Sequence, residues 1–136
     1  MAARYMLDTD IFSYIINNRY PQLRDKFSKL SDSICISAIT YAEARYGARK
    51  KGSSKLDSLI EMLAELIEIV PWTATEADEY ATIRDDLEMR GVPIGANDTL
   101  IAASAKAHGS ILVTNNEEHF ARVQGLLIEN WVTADS

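Results

Sequence analysis

The chain has 136 residues, of which 47% are hydrophobic and 25% charged, as in a single compact domain with a buried core. No apolar run could span a bilayer and no secretory signal is visible, so we expect one cytoplasmic domain over residues 1–136 with no membrane partner. The net charge of −6 argues against broad, non-specific binding of nucleic acid, which needs a positive surface.

Hydrophobic periodicity and turn residues predict a strand or helix in every part of the N-terminal half. In chain order the predicted elements are a strand ending at Leu7, helices over 11–16 and from Pro21, a strand over 33–37, a helix over 38–46 that Gly47 ends, a helix after the turn at 52–54, and a strand over 67–70.

The C-terminal half continues the alternation of strands and helices. Its predicted elements are a helix from a capping box at Thr73 to Arg90, a helix from Asn97 to Gly109, a strand over 111–113, a turn and helix start over 114–116, and a strand over 126–128. This alternation predicts an α/β fold with a mainly parallel central sheet.

Carboxylates follow the predicted strands at points that a parallel sheet brings to one edge. Asp8 and Asp10 follow the first strand, and Glu43 lies in the second turn of the helix after the second. Asp98 lies in the first turn of a later helix, and Asn116 follows the strand over 111–113. Ligands of such sheets bind beyond the carboxyl ends of the strands, so we expect these side chains to form a site.

A site of this kind requires a cation. Two carboxylates ~5 Å apart repel each other by roughly 3 kcal/mol at an effective dielectric constant of 20. Oxygen ligands without a Cys or His cluster favour Mg²⁺ or Mn²⁺ over Zn²⁺. Such an ion would activate water toward a phosphodiester.

The same acids have three alternative interpretations. Asp8 and Asp10 would cap a helix, Thr40 and Glu43 have capping-box spacing, and Asp98 would complement a helix dipole. The DxD pattern at residues 8–10 also occurs in haloacid-dehalogenase-type phosphatases, where the first Asp attacks phosphorus. A non-catalytic interaction module, whose acids receive a partner's arginines, is the third alternative.

A basic segment lies in the middle of the chain, with five of the 14 cationic residues inside eleven positions, namely Arg45, Arg49, Lys50, Lys51 and Lys55. Arg45, Lys50 and Lys51 are candidates for RNA binding; a solvated helix end is the alternative. His108 and His119 are assigned no part in catalysis. Side chains predicted to pack in the interior, rather than to bind RNA or form an interface, are Cys35, Tyr46, Ile60, Leu63, Ile67, Trp72 and Trp131.

Four sequence segments in order resemble the VapC-type toxins of the PIN-domain ribonucleases: YMLDTDIFSYII, SAITYAEARYGARK, IGANDTLIAASAKAHGSILVTNN and F-x-R-V-x-G-L-x-x-E-N-W. The resemblance implies a three-layer α/β/α PIN fold and a Mg²⁺- or Mn²⁺-dependent endoribonuclease. It favours tRNA as substrate, in particular the anticodon stem-loop of initiator tRNA. It also implies a homodimer and a VapB-type antitoxin that inhibits the toxin and carries it to operator DNA.

The resemblance also implies roles for individual residues. The catalytic and metal-binding acids correspond to Asp8, Glu43 and Asp98. Supporting positions correspond to Thr9, Asp10, Thr114 and Asn116. Many PIN domains have a fourth acid where this chain has Asn116, and close relatives have Glu where it has His119. These departures favour one well-held ion over two.

Overall fold

The computed structural model describes residues 4–132, so the predicted domain limits of 1–136 lie outside that range at both ends. Within it the strands are β1 (Tyr5–Leu7), β2 (Ile34–Ser37), β3 (Glu68–Val70), β4 (Ile111–Val113) and β5 (Leu127–Glu129). They form one sheet in the order β3-β2-β1-β4-β5, and every neighbouring pair is parallel. The predicted parallel α/β sheet is confirmed.

Helices connect the strands and cover both faces of the sheet. They are α1 (Thr9–Ile16), α2 (Pro21–Leu30), α3 (Ala38–Lys50), α4 (Ser54–Glu65), α5 (Ala74–Met89), α6 (Ala96–Ala107) and α7 (Glu117–Phe120), with a 3₁₀ turn at Ser31–Ser33. Among residues 4–132, none of these helices is both long and apolar enough to cross a membrane.

Two hydrophobic cores lie on opposite faces of the sheet, because successive strand side chains point in opposite directions. Leu7 and Ile36 join a core with residues of α1, α2 and α4. Their neighbours Met6 and Cys35 join a second core with residues of α5 and α6. This arrangement confirms the three-layer α/β/α prediction and the interior position of Cys35.

The end of α3 differs from the prediction. Gly47 does not stop this helix, which continues to Lys50. The chain leaves the helix at Gly52, whose φ of 65° lies in the left-handed region that glycine adopts without strain. Because of this extra turn, Arg49 and Lys50 of the basic segment lie on a helix rather than in a loop.

Helix starts decide three of the predicted capping interactions. Asp8 caps α1, which begins at Thr9 rather than at residue 11, and its Oδ1 accepts the Ile11 N–H at 2.8 Å. Ser37 caps α3, so Glu43 lies inside that helix, and the capping-box interpretation of Glu43 is wrong. The capping box predicted at Thr73 is present, with Glu76 as its carboxylate.

The packing predictions are mostly confirmed. Ile60, Leu63 and Trp131 are buried, and the Trp72 N–H donates to the Leu100 carbonyl at 3.0 Å. Ile67 is half-buried and packs against the first core. Tyr46 is 61% exposed on α3, so its assignment to the core is wrong.

We expect Leu112→Ala to lower the free energy of unfolding by about 2–5 kcal/mol, because Leu112 is fully buried in β4 beside the central strand. The same substitution at Leu127, exposed on the adjacent β5, is the matched control, with an expected change within about 0.5 kcal/mol. Urea denaturation monitored by circular dichroism measures both. Equal losses would contradict the assignment of Leu112 to the core.

Candidate acidic active site

The sheet register brings three polar residues to one level at the carboxyl edge. Leu7 of β1 pairs with Ile36 of β2 and with Val113 of β4. The next residues along these strands, Asp8, Ser37 and Thr114, are all buried. The chain leaves β1 toward β2 on one side and reaches β4 on the other, so Asp8 stands at the topological switch point where such sheets bind ligands.

Asp8 is a carboxylate with only 4% of its surface exposed. Burial raises its pKa to about 6, and the nearby charges of Asp10 and Asp98 act in the same direction. The Thr114 hydroxyl and the Ile11 N–H lower this pKa but do not cancel the effect of burial. The Asp8 carboxylate therefore gains from any cation that enters the site.

Thr114 contacts the Asp8 carboxylate, and Asn116 orients Thr114. The Asn116 backbone N–H donates to Thr114 Oγ1 at 3.0 Å, which leaves the Thr114 hydroxyl proton free to face the Asp8 carboxylate. The side chain of Asn116 itself is exposed, and the residue begins α7.

Asp98 lies in the first turn of α6, where the helix dipole favours a negative charge. Burial raises its pKa, His119 lowers it, and the charge of Asp10 raises it again. His119 Nε2 lies 3.1 Å from Asp98 Oδ2. The structure thus places the charges of Asp10 and Asp98 close enough to Asp8, and that of Asp10 close enough to Asp98, to raise the pKa of each neighbour.

Glu43 lies on α3 and is linked by a hydrogen bond to the start of α6, next to Asp98. Asn97, the residue before Asp98, donates from Nδ2 to Glu43 Oε1 at 3.1 Å. Thr9, the first residue of α1, contacts α3, with its hydroxyl 3.4 Å from that of Thr40. Thr9 and Glu43 line one groove that also contains Lys51 at the end of α3.

The donor set suits a hard divalent cation. Asp8, Asp98 and Glu43 offer only oxygen atoms, and burial of Asp8 provides a charge for the ion to neutralise. Within residues 4–132, no three His, Cys, Asp or Glu side chains lie close enough to hold a metal ion as a group. Mg²⁺ accepts one or two carboxylates and completes its octahedron with waters and substrate oxygens, so these residues fit it.

The basic segment divides into two parts. Arg45 forms ion pairs with Asp57 at 3.3 Å and Glu61 at 2.9 Å, and its guanidinium lies over the Tyr41 ring. Arg45 therefore joins α3 to α4. Lys50 and Lys51 are exposed near the end of α3, and Lys51 shares the groove with Glu43.

Two polar residues at the site have contacts that the sequence analysis did not assign. Asn97 contacts Glu43, and the only local signal for it is its place beside Asp98. His119 was predicted to be structural, and it contacts Asp98 from α7, the helix after β4. Its position just beyond the carboxyl end of a central strand was the available signal.

Residues 5–126 match the PIN domain family. The chain belongs to this family. It is 38% identical over 130 residues to Ribonuclease VapC2 of Haemophilus influenzae, covering 95% of this chain and 98% of that protein. It is 36% identical over 129 residues to the tRNA(fMet)-specific endonuclease VapC of Shigella flexneri, covering 94% and 98% of the two chains.

A solved PIN-domain structure has the same fold. A chain in the DNA-bound VapBC2 complex of Rickettsia felis superimposes with a TM-score of 0.88 at 37% identity, covering 94% of this chain and 98% of that one. The predicted VapC-type PIN fold is confirmed. Membership of this family also decides against the phosphatase interpretation of the Asp-Thr-Asp segment at residues 8–10.

We expect Asp8→Asn to stabilise the metal-free protein at neutral pH. The Asp8 pKa is raised, so the folded state holds this proton more tightly than the unfolded chain, and wild type loses stability as pH rises from about 4 through about 6. The difference between 3.8 and about 6 corresponds to at most about 3 kcal/mol at pH 7. Asparagine also caps helices well, so the α1 cap is kept.

Urea titrations in EDTA at pH 4 and pH 7 measure this difference. The matched control is Asp85→Asn, at an exposed position of α5, which should behave alike at both pH values. An Asp8→Asn variant that is no more stable than wild type at pH 7 would show that the buried carboxylate carries no charge penalty.

Proposed function

We propose that this PIN domain is a divalent-metal-dependent endoribonuclease and the toxin of a type II toxin–antitoxin pair. The observation that carries the proposal is the buried Asp8 carboxylate at the end of the central strand, with the charges of Asp98 and Asp10 facing it. The ribonuclease and endonuclease names of relatives at 36–38% identity support RNA cleavage as the activity.

The three acids would hold the ion in the proposed reaction. Asp8 and Asp98 would bind it directly, and Glu43 would bind it directly or through water. When bound, Mg²⁺ or Mn²⁺ supplies Lewis-acid chemistry that activates water and offsets charge on the phosphate. Thr114 and Asn97 keep the carboxylates of Asp8 and Glu43 oriented before substrate arrives.

We propose tRNA as the substrate, with the anticodon stem-loop of initiator tRNA favoured. The Shigella flexneri relative bears the name tRNA(fMet)-specific endonuclease, which supports this choice. Lys51 directly follows α3, eight residues after Glu43 and about 12 Å from it along the helix axis. A strand of RNA cut at the acids would therefore follow the groove to Lys51, with Lys50 beside it, and bind there through its phosphates.

The proposed regulator is a VapB-type antitoxin. The Rickettsia felis neighbour is a VapBC2 complex bound to a promoter DNA fragment, which supports a toxin that reaches operator DNA through its antitoxin. Tyr46, Met62 and Leu66 are exposed on α3 and at the end of α4 and provide apolar surface for a protein contact, including that of a homodimer.

The decisive test is cleavage of purified total tRNA by wild type and by Asp98→Asn, with and without Mg²⁺. We expect EDTA to abolish cleavage, and Asp98→Asn to reduce it at least about 100-fold, because several kcal/mol of charge stabilisation depend on the ion. Asparagine retains the shape of Asp98 and can still accept from His119, so the fold should be unchanged.

Asp85→Asn, on the exposed side of α5, is the matched control and should cleave like wild type. Full activity of Asp98→Asn, or equal activity in EDTA, would overturn the proposed site. A wild-type protein that cuts no RNA but binds a partner would favour the non-catalytic interaction module.

The proposed RNA groove predicts a specific effect of Lys51→Ala. Loss of one phosphate contact should raise KM for tRNA, leave kcat nearly unchanged, and lower the salt dependence of log KM by about 0.7–0.9. Lys29→Ala is the matched control, because Lys29 is exposed on α2 and pairs with Asp25 outside the groove. Equal effects of both variants would mean that the groove does not bind RNA.

A further inference from the structure

His119 connects two separate parts of the site. Its Nε2 lies 2.6 Å from the Ile94 carbonyl oxygen and 3.1 Å from Asp98 Oδ2. Its ring packs edge-on against Phe120, which is buried in the second core. Contact with Phe120 therefore fixes the imidazole against the second core, and its Nε2 faces the first turn of α6.

The geometry determines which atom donates. A carbonyl oxygen can only accept a hydrogen bond, so at 2.6 Å His119 Nε2 must carry a proton. The same nitrogen lies 3.1 Å from Asp98 Oδ2, so the positive end of its N–H dipole attracts that oxygen while the hydrogen bond itself goes to Ile94. A protonated nitrogen has no lone pair available, so Nε2 is not a ligand for a metal ion in this arrangement.

The bond to Ile94 positions the backbone as well as the side chain. Ile94 precedes Gly95, the cap of α6, whose φ of 95° is open to glycine alone without strain. His119 thus contacts the backbone just before the cap of α6. It also contacts one oxygen of Asp98, the third residue of that helix. The other oxygen of the Asp98 carboxylate is left to face the site.

We propose that His119 is a positioning residue that holds one oxygen of Asp98 and leaves the other as the ligand for the divalent ion. The inference rests on the proposed function, because it assumes that Asp98 binds the ion. Loss of this contact leaves Asp98 able to turn away from the ion.

The test compares Mn²⁺ binding by the full chain and three variants, using isothermal titration calorimetry without RNA. His119→Met removes the donor at similar size, and His119→Gln keeps an N–H donor at similar reach. His108→Met is the matched control, because His108 lies at the opposite end of α6 and contacts Glu76 instead of the site. Melting curves in EDTA report the stability of each variant separately.

We expect one Mn²⁺ per wild-type chain. His119→Met should weaken binding by about 10–100-fold, as when a partner of a metal ligand is lost. His119→Gln should restore most of the affinity, and His108→Met should bind like wild type even if it melts earlier. Rescue by glutamine separates positioning from a general loss of stability.

Three results would overturn the inference. Unchanged affinity in His119→Met, or equal losses in the Met and Gln variants, would show that its donor does not position Asp98. A wild-type chain that binds no Mn²⁺ would overturn both this inference and the metal dependence of the proposed function, whereas the other results leave the latter intact.

Discussion

A buried negative charge at the end of the central strand is the constraint on which the site depends. Asp8 is tied to β4 by its backbone N–H, which donates to the Val113 carbonyl at 3.0 Å, and its side chain caps α1. Removing this carboxylate from water has a large free-energy cost, which Thr114 and the helix N-terminus offset only in part. The remaining imbalance is a buried negative charge that a cation would neutralise.

Each acid of the site is held by a polar group from a different element. Asp8 is supported from β4, Glu43 from α6 and Asp98 from α7, and the supporting residues are, in that order, Thr114, Asn97 and His119. Carboxylates that repel one another would otherwise rotate toward solvent, so each of these partners restrains the carboxylate that it contacts. Exposed positive charge lies separately, on Lys50 and Lys51 at the end of α3, so this acidic chain still has a local basic surface.

Local signals in the sequence were sufficient for the element order and for the acids. Apolar segments indicated the strands, Pro21 indicated the start of α2, and Thr73 with Glu76 indicated the start of α5. The rule that parallel strands end at one edge was enough to group Asp8 with Asp98. The prediction that Gly47 ends α3 was wrong, because glycine ends a helix where the backbone adopts the left-handed conformation. That conformation occurs at Gly52.

By itself, the sequence determined the fold class and the parallel sheet, because periodicity and strand ends are local properties that the chain displays directly. It also predicted the acids of the site, Asp8, Glu43 and Asp98, and that assignment stays a prediction. Only the tertiary structure decided how those acids are held. The contacts of Asn97 with Glu43 and of His119 with Asp98 join residues 54 and 21 positions apart, and no periodic pattern encodes such a pair. The division of the basic segment was decided in the same way, because Arg45 contacts Asp57 and Glu61 only once α3 and α4 pack together.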